Sequence, residues 1–216
     1  MGAVLEERAA GERAWWLRAL LVLGAPRDVF LALRDDSPEA SSDRQEPVTA
    51  IVFLAGLSAA LGAARNVALL EDATFDGLLM AVWVVAAGGV QGLFGYWVLG
   101  AALYAGLSAV GPHGPFRHAR HLLAYASVPV ALAVVLAWPV RLAVFGGDVF
   151  REGGSDDGAL ASALDVLEAG LYAWALALLV LGVRVVHGWS WGRSLAACAL
   201  AGVVIGAVAL ALAVGA

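Results

Sequence analysis

The run Leu78–Val110 is 33 residues long and carries no charged side chain. Wound as a helix it would reach about 50 Å at ~1.5 Å per residue, well beyond a hydrocarbon core of ~30 Å. In lipid the backbone must satisfy its own polar groups, and a helix does so within one segment. The remaining chain points the same way. It is 62% hydrophobic and 14% charged, whereas a soluble domain is ~25% charged. These values describe an all-α integral membrane helix bundle. They leave too little chain outside the spans to bury the core of a separate catalytic domain.

Five spans account for the apolar runs: Val48–Ala64, Leu78–Val110, Leu122–Phe145, Ala159–Val186 with its apolar part from Ala169, and Ser194–Val214. The second overshoots the bilayer, so it must tilt, kink or begin outside the hydrocarbon. Gly88, Gly89, Gly92 and Gly95 mark the expected bend, and splitting the run there would give six spans. Pro129 and Pro139 interrupt the third.

Residues 1–47 form a polar segment of mixed sign ahead of a five-span domain, 48–216. Its apolar stretch Trp15–Ala25 is too short to span. Glu6, Glu7 and Glu12 offset the positive charge a signal peptide needs, and Arg18 breaks the apolar core. Trp15 and Trp16 between Arg13 and Arg18 suit a short helix lying in the headgroup region. Pro26 suits the first turn of a second short helix with Val29, Phe30 and Leu33 as its apolar stripe. Arg34–Pro47, acidic and Ser-rich, reads as a linker.

All 13 basic residues are arginines, beside 18 acids. With the N-terminus in the cytoplasm, ten arginines fall inside (Arg8, Arg13, Arg18, Arg27, Arg34, Arg44, Arg117, Arg120, Arg184 and Arg193). Arg65 and Arg151 fall outside, and Arg141 lies within the third run. Positive charge accumulates on the cytoplasmic side of membrane proteins. The expected orientation is therefore N-terminus cytoplasmic and C-terminus outside, in the inner (plasma) membrane of a bacterium with a GC-rich genome. Glu71, Asp72, Asp76, Asp148, Glu152, Asp156 and Asp157 make the outer loops acidic. A basic stripe of the kind nucleic acid requires is missing from the sequence.

Convergent chemistry is hard to assemble from this chain. His113, His118 and His121 crowd the loop Gly111–His121, but Arg117 and Arg120 oppose a cation there and no acid or Cys lies close in sequence, so no metal site is expected. That loop reads instead as a basic patch facing anionic headgroups, where each Arg contributes ~1 kcal/mol. Ser58 and Ser108 follow Gly-x patterns, yet His187 belongs at a helix end, far from a mid-membrane Ser58, so no protease is expected. The outer loop GGDVFREGGSDDG lacks the alternating ligands of a calcium loop and reads as a solvated acidic linker. Cys198, the single cysteine, reads as an unreactive core residue. Gln91 is expected to bond across a close helix contact. Arg141 should snorkel outward or pair with Asp165 or Glu168.

Two segments carry a family resemblance. GPHGPFRHARH followed by LLAYASVPVAL, Gly111 to Leu132, contains the element Ala124, Tyr125, Ala126, Ser127, Val128 and Pro129. APRDVFLAL, Ala25 to Leu33, precedes the first span. Together with the five-span layout they resemble the bacterial branch of the YIP family, the Ypt/Rab-interacting membrane proteins. The resemblance implies a fold and a membrane location. Eukaryotic members are associated with Rab GTPases and vesicle traffic, and their acidic aromatic motif is not evident in this sequence. Physically, Pro129 cannot donate to the carbonyl of Tyr125, so the helix must bend there or a neighbour must fill the gap. Ser127 can satisfy freed backbone groups, and Tyr125 is expected near the cytosolic interface.

The expected function is a non-catalytic membrane scaffold or adaptor, with no cofactor and no catalytic or metal site. Candidate contacts to lipid or to a protein partner are Phe116, Arg117 and Arg120 in the 111–121 loop, and Tyr125, Ser127 and Pro129 at the kink. The alternative is a small transporter or channel component using Arg141 and Gln91.

Overall fold

A computed structural model describes residues 13–66, 68 and 77–215. Expectations at Glu6, Glu7, Arg8, Glu12, Glu71, Asp72 and Asp76 lie outside the described residues. The described chain is helical, with no strand among its residues. In order come α1 (residues 13–21), α2 (Pro26–Ala32), α3 (Pro38–Asp43), α4 (Gln45–Asn66), α5 (Gly77–Val110), α6 (Phe116–Ala126), α7 (Val128–Phe145), a 3-10 turn Gly146–Phe150, α8 (Gly158–His187) and α9 (Trp191–Gly215). Five stretches are long and apolar enough to cross a membrane: those containing α4, α5, α7, α8 and α9. The molecule is an all-α, multi-pass membrane protein.

α5 runs unbroken through all 34 of its residues, so the split that would make a sixth span does not occur. Its glycines serve close approach instead. A Cβ on Gly56 of α4 would overlap the carbonyl oxygen of Gly88 and lie 2.6 Å from the Cα of Gly92. Small residues of this kind let helix backbones touch in lipid, where packing replaces the hydrophobic effect between helices. Gln91, one residue from that contact, is exposed and does not bond across it. The helical repeat explains the difference: residues 88 and 92 share a face, and residue 91 is turned away from it.

Two compact units emerge from the contacts. The first comprises 1–49, 95–126 and 176–216, and the second 50–94 and 127–175. In the first, Val22, Phe30, Leu33, Leu103, Leu107, Leu122 and Tyr125 are almost fully buried. Phe30 of α2 lies against Gly182 of α8, where a Cβ would meet its ring at 2.9 Å. Gly106 of α5 packs on the backbone of Ala197 and Ala201 in α9. In the second, Leu61, Ala64, Met80, Val84, Ala133, Trp138, Val149, Phe150 and Leu171 form one cluster.

Two stretches expected to be linkers are folded. Within Arg34–Pro47, Ser37 accepts a hydrogen bond from the Ala40 amide at 3.2 Å, Pro38 occupies the first turn, and α3 follows. The acidic segment GGDVFREGGSDDG holds the 3-10 turn, whose Val149 and Phe150 are buried, with Phe150 stacked on Trp138 at 6.2 Å between centroids. Those two apolar residues outweigh the acids around them. The third apolar run, expected to bend at Pro129, is interrupted just before it. It breaks at Ser127, and Pro129 sits in the first turn of α7, where a missing N–H costs nothing.

Candidate functional site

The Gly111–Pro115 turn begins where α5 ends. His113 Nδ1 donates to the Gly111 carbonyl at 3.0 Å, its Nε2 lies 3.1 Å from Ser108 Oγ, and the Ser108 hydroxyl donates to the Tyr104 carbonyl at 2.7 Å. Its ring meets Tyr104 edge-on at 4.8 Å. Arg193 donates through Nε and Nη2 to the Val110 carbonyl at 3.3 and 2.9 Å, covering the last residue of α5. The final carbonyls of a helix lack internal partners and carry partial negative charge, so a guanidinium suits that position.

Residues expected in a loop begin a helix. Phe116 opens α6, a strongly amphipathic segment that buries His118, His121, Leu122 and Tyr125. Arg117 forms a fork on Asp36, with Nε to Oδ1 at 3.0 Å and Nη2 to Oδ2 at 2.9 Å, and Nη2 also reaches the Asp36 carbonyl at 2.9 Å. Burial disfavours the Asp36 charge, but the Arg117 hydrogen bond and the cations around it outweigh that penalty and hold its carboxyl below the usual carboxylate range. Asp35 is held low too, by hydrogen bonds from the Ser37 amide and hydroxyl.

Arg120 stands over three rings, 3.8 Å from Trp97, 5.0 Å from Phe116 and 5.1 Å from Tyr96. Its stem fills the space over Gly100, where a Cβ would meet Cγ at 2.6 Å. Such stacking is worth ~0.5–1 kcal/mol when exposed and ~2 when desolvated. Tyr125 is wholly buried within the protein. Trp15 lies 5.7 Å from it, and its hydroxyl has no hydrogen-bond partner among the described residues. Ser127 lies at the α6–α7 break and Pro129 is buried in the first turn of α7.

The linker assignment concealed Arg44. It is fully buried, bonded through Nη2 to the Asp35 carbonyl at 2.9 Å and to Ser41 Oγ at 3.0 Å, with Asp36 at 3.5 Å and the Trp15 ring at 5.3 Å. The sequence signal was faint: one Arg among acids, nine residues past Asp35. Arg34 was also missed as a site residue. With Gly114, His118, Val186, His187 and Gly188 it lines a cavity of about 490 Å³.

The second unit holds a separate charge cluster. Arg141, fully buried in α7, donates through Nη2 to Asp165 at 2.8 Å and approaches Glu168 at 3.4 Å. Asp165 also accepts from Arg65 at 2.7 Å, and Arg65 reaches Asp156 at 3.0 Å. Both partners anticipated for Arg141 are used, because they lie three residues apart on one face of α8. Ser58 is buried in this unit. Cys198, in the first unit, is half-buried.

The Yip1 domain family matches residues 20–213. No curated protein and no solved structure matches the chain.

Proposed function

This chain belongs to the Yip1-domain family, and from that premise we propose that it is a non-catalytic membrane scaffold or adaptor. The observation that supports this reading is the engagement of the charge in its apolar helices. Arg44, Arg65, Arg117 and Arg141 each hold a carboxylate within the chain. Charges tied up in this way brace helices, and an arginine, always charged, is a poor group for proton transfer. The spans meanwhile present large apolar side chains outward, among them Leu78, Val90, Phe94, Val166 and Val203. The lipid bilayer is the partner these surfaces fit. A protein partner would dock on the cytosolic face, at the turn 111–115 and the start of α6, with the N-terminus cytoplasmic and the C-terminus outside.

Photo-crosslinking in cells from Phe116, followed by mass spectrometry, tests the reading. One dominant protein adduct, lost on Arg117→Ala with Arg120→Ala, is the expected result. Adducts to lipid alone would overturn the adaptor form of the proposal.

One observation favours a transporter or channel component. Arg141 keeps Nε and Nη1 buried without hydrogen-bond partners among the described residues, and an intramembrane cation is a common substrate contact. Solute flux in liposomes that Arg141→Gln abolishes would establish that alternative.

A further inference from the structure

The 490 Å³ cavity of the first unit joins three chain segments. Arg34 follows α2, Gly114 and His118 bracket the start of α6, and Val186, His187 and Gly188 end α8. Its polar groups have settled roles. Arg34 donates through Nε and Nη2 to the Val185 carbonyl, which holds the guanidinium at the wall and leaves Nη1 outside that bond. His187 Nδ1 lies 3.0 Å from the Val183 carbonyl. A carbonyl only accepts, so Nδ1 carries the proton and Nε2 presents a lone pair. The His118 ring stands 6.2 Å from the His187 ring. His118 is 8% exposed, and its Nε2 is buried with no hydrogen-bond partner of ordinary geometry among the described residues, although the Leu33 backbone lies near the ring. A buried polar atom left unmatched is rare and calls for a reason.

The site therefore combines one fixed cation with two imidazole nitrogens, of which at least one accepts hydrogen bonds. The cation suits a phosphate, and the imidazoles suit hydroxyl donors beside it. Size points the same way, since the site is an open depression of about 490 Å³ at the surface, which suits a headgroup resting against it and exceeds what a lone phosphate ion needs. Position supplies the source. The fourth candidate span ends at His187. Trp189 lies 4.9 Å from the His187 ring, and Arg184 stands over Trp191 at 4.7 Å. Tryptophans and arginines at the end of a span mark the headgroup level of a bilayer.

We infer that this cavity binds a phospholipid headgroup in which a phosphate on Arg34 is accompanied by hydroxyl donors to His118 and His187, as in phosphatidylglycerol. The inference rests on the membrane-embedded part of the scaffold reading and needs no protein partner, so it stands or falls separately from the crosslinking result.

Native mass spectrometry of the full chain, released from micelles with equimolar phosphatidylglycerol, phosphatidic acid and phosphatidylcholine, tests it. The wild-type chain should retain phosphatidylglycerol at least fivefold over the other two. His118→Leu and His187→Leu should each bring that ratio close to one. His118→Leu should also melt no lower than wild type without lipid, because it removes an unsatisfied buried atom. Equal retention of phosphatidic acid would remove the hydroxyl contacts, and equal retention of phosphatidylcholine would remove the site. An unchanged ratio in both variants would overturn it too. So would a thermal shift with inorganic phosphate as large as with phosphatidylglycerol, which would assign the cavity to free phosphate.

Discussion

The two units hold their arginines mainly by different means, Arg117 of the first, forked on Asp36, being the exception. In the first, Arg18, Arg44, Arg120, Arg184 and Arg193 all stand over aromatic rings, and Arg34 and Arg193 also cover helix carbonyls. In the second, Arg65 and Arg141 are held by Asp156, Asp165 and Glu168, with a single ring, Trp138, 5.7 Å from Arg141. A guanidinium is planar, weakly hydrated and always charged, so it serves both arrangements, whereas an ammonium serves the stacked one poorly. This gives the lysine-free composition a structural use. Ring-stacked cations tolerate changes of salt and acid. Carboxylate-held cations depend on the ionised partner.

The largest expected effects strike what the two units share, the touching of helix backbones. Gly56→Leu in the second unit and Gly106→Leu in the first should each abolish the monodisperse folded peak in size-exclusion chromatography. Each places side-chain atoms where neighbouring backbone already lies. Gly62→Ala, where a Cβ meets nothing within 4 Å, should leave the peak unchanged. A folded Gly56→Leu protein would remove the backbone contact as a common principle.

Next comes the carboxylate shared by two arginines. Asp165→Asn leaves buried Arg141 with only Glu168. Losing one partner of a fully buried pair costs ~3–5 kcal/mol. Asp165 is itself about half exposed, so the loss should be nearer ~2 kcal/mol, measured as a fall in thermal midpoint. Arg141→Met, which removes the cation as well, should cost less than Asp165→Asn. The opposite order would deny that the network is electrostatic.

Smaller still is Arg120→Lys in the first unit, expected to cost ~1 kcal/mol through loss of the flat contact with Trp97. That loss should be the same in low and high salt. A strong salt dependence would mean that Arg120 acts as a point charge.

The smallest effect concerns Asp36, the carboxylate that pairs with Arg117 and Arg44 in the first unit. Its carboxyl is held below the usual 3.8. The stabilisation is therefore complete above that value and is lost as pH falls through the depressed one. The midpoint difference between wild type and Asp36→Asn should hold steady above about pH 4 and vanish in stronger acid. A difference that grew as pH fell would have the wrong sign for an Arg117-paired carboxylate.

Much of this molecule could be read along the chain. Four of the five apolar runs each became one helix with ends shifted by a few residues, as Val48–Ala64 lies within Gln45–Asn66 and Ala159–Val186 within Gly158–His187, while the third is divided between α6 and α7. Pairing of Arg141 with Asp165 or Glu168 was also legible, because a buried cation has few acids within reach. The surroundings of the candidate contacts were less legible. Arg117 and Arg120 were identified as a pair of equivalent basic groups, and they turn out to be engaged with an acid and with three rings. Arg44 and Phe150 were hidden in segments whose average polarity resembled a linker. Composition over a window cannot reveal a single residue that turns inward.

What the sequence by itself determined is the number of apolar spans and their approximate extent, since that depends only on local hydrophobicity and on the backbone's need to bond to itself in lipid. Tertiary structure alone decided which glycines meet, which ring or carboxylate holds each arginine, and that Arg34, His118 and His187 share one cavity. Those pairings join residues as many as 153 positions apart, and they follow from which faces two helices turn toward each other. That choice is made by packing complementarity across the fold, which no local stretch of sequence encodes.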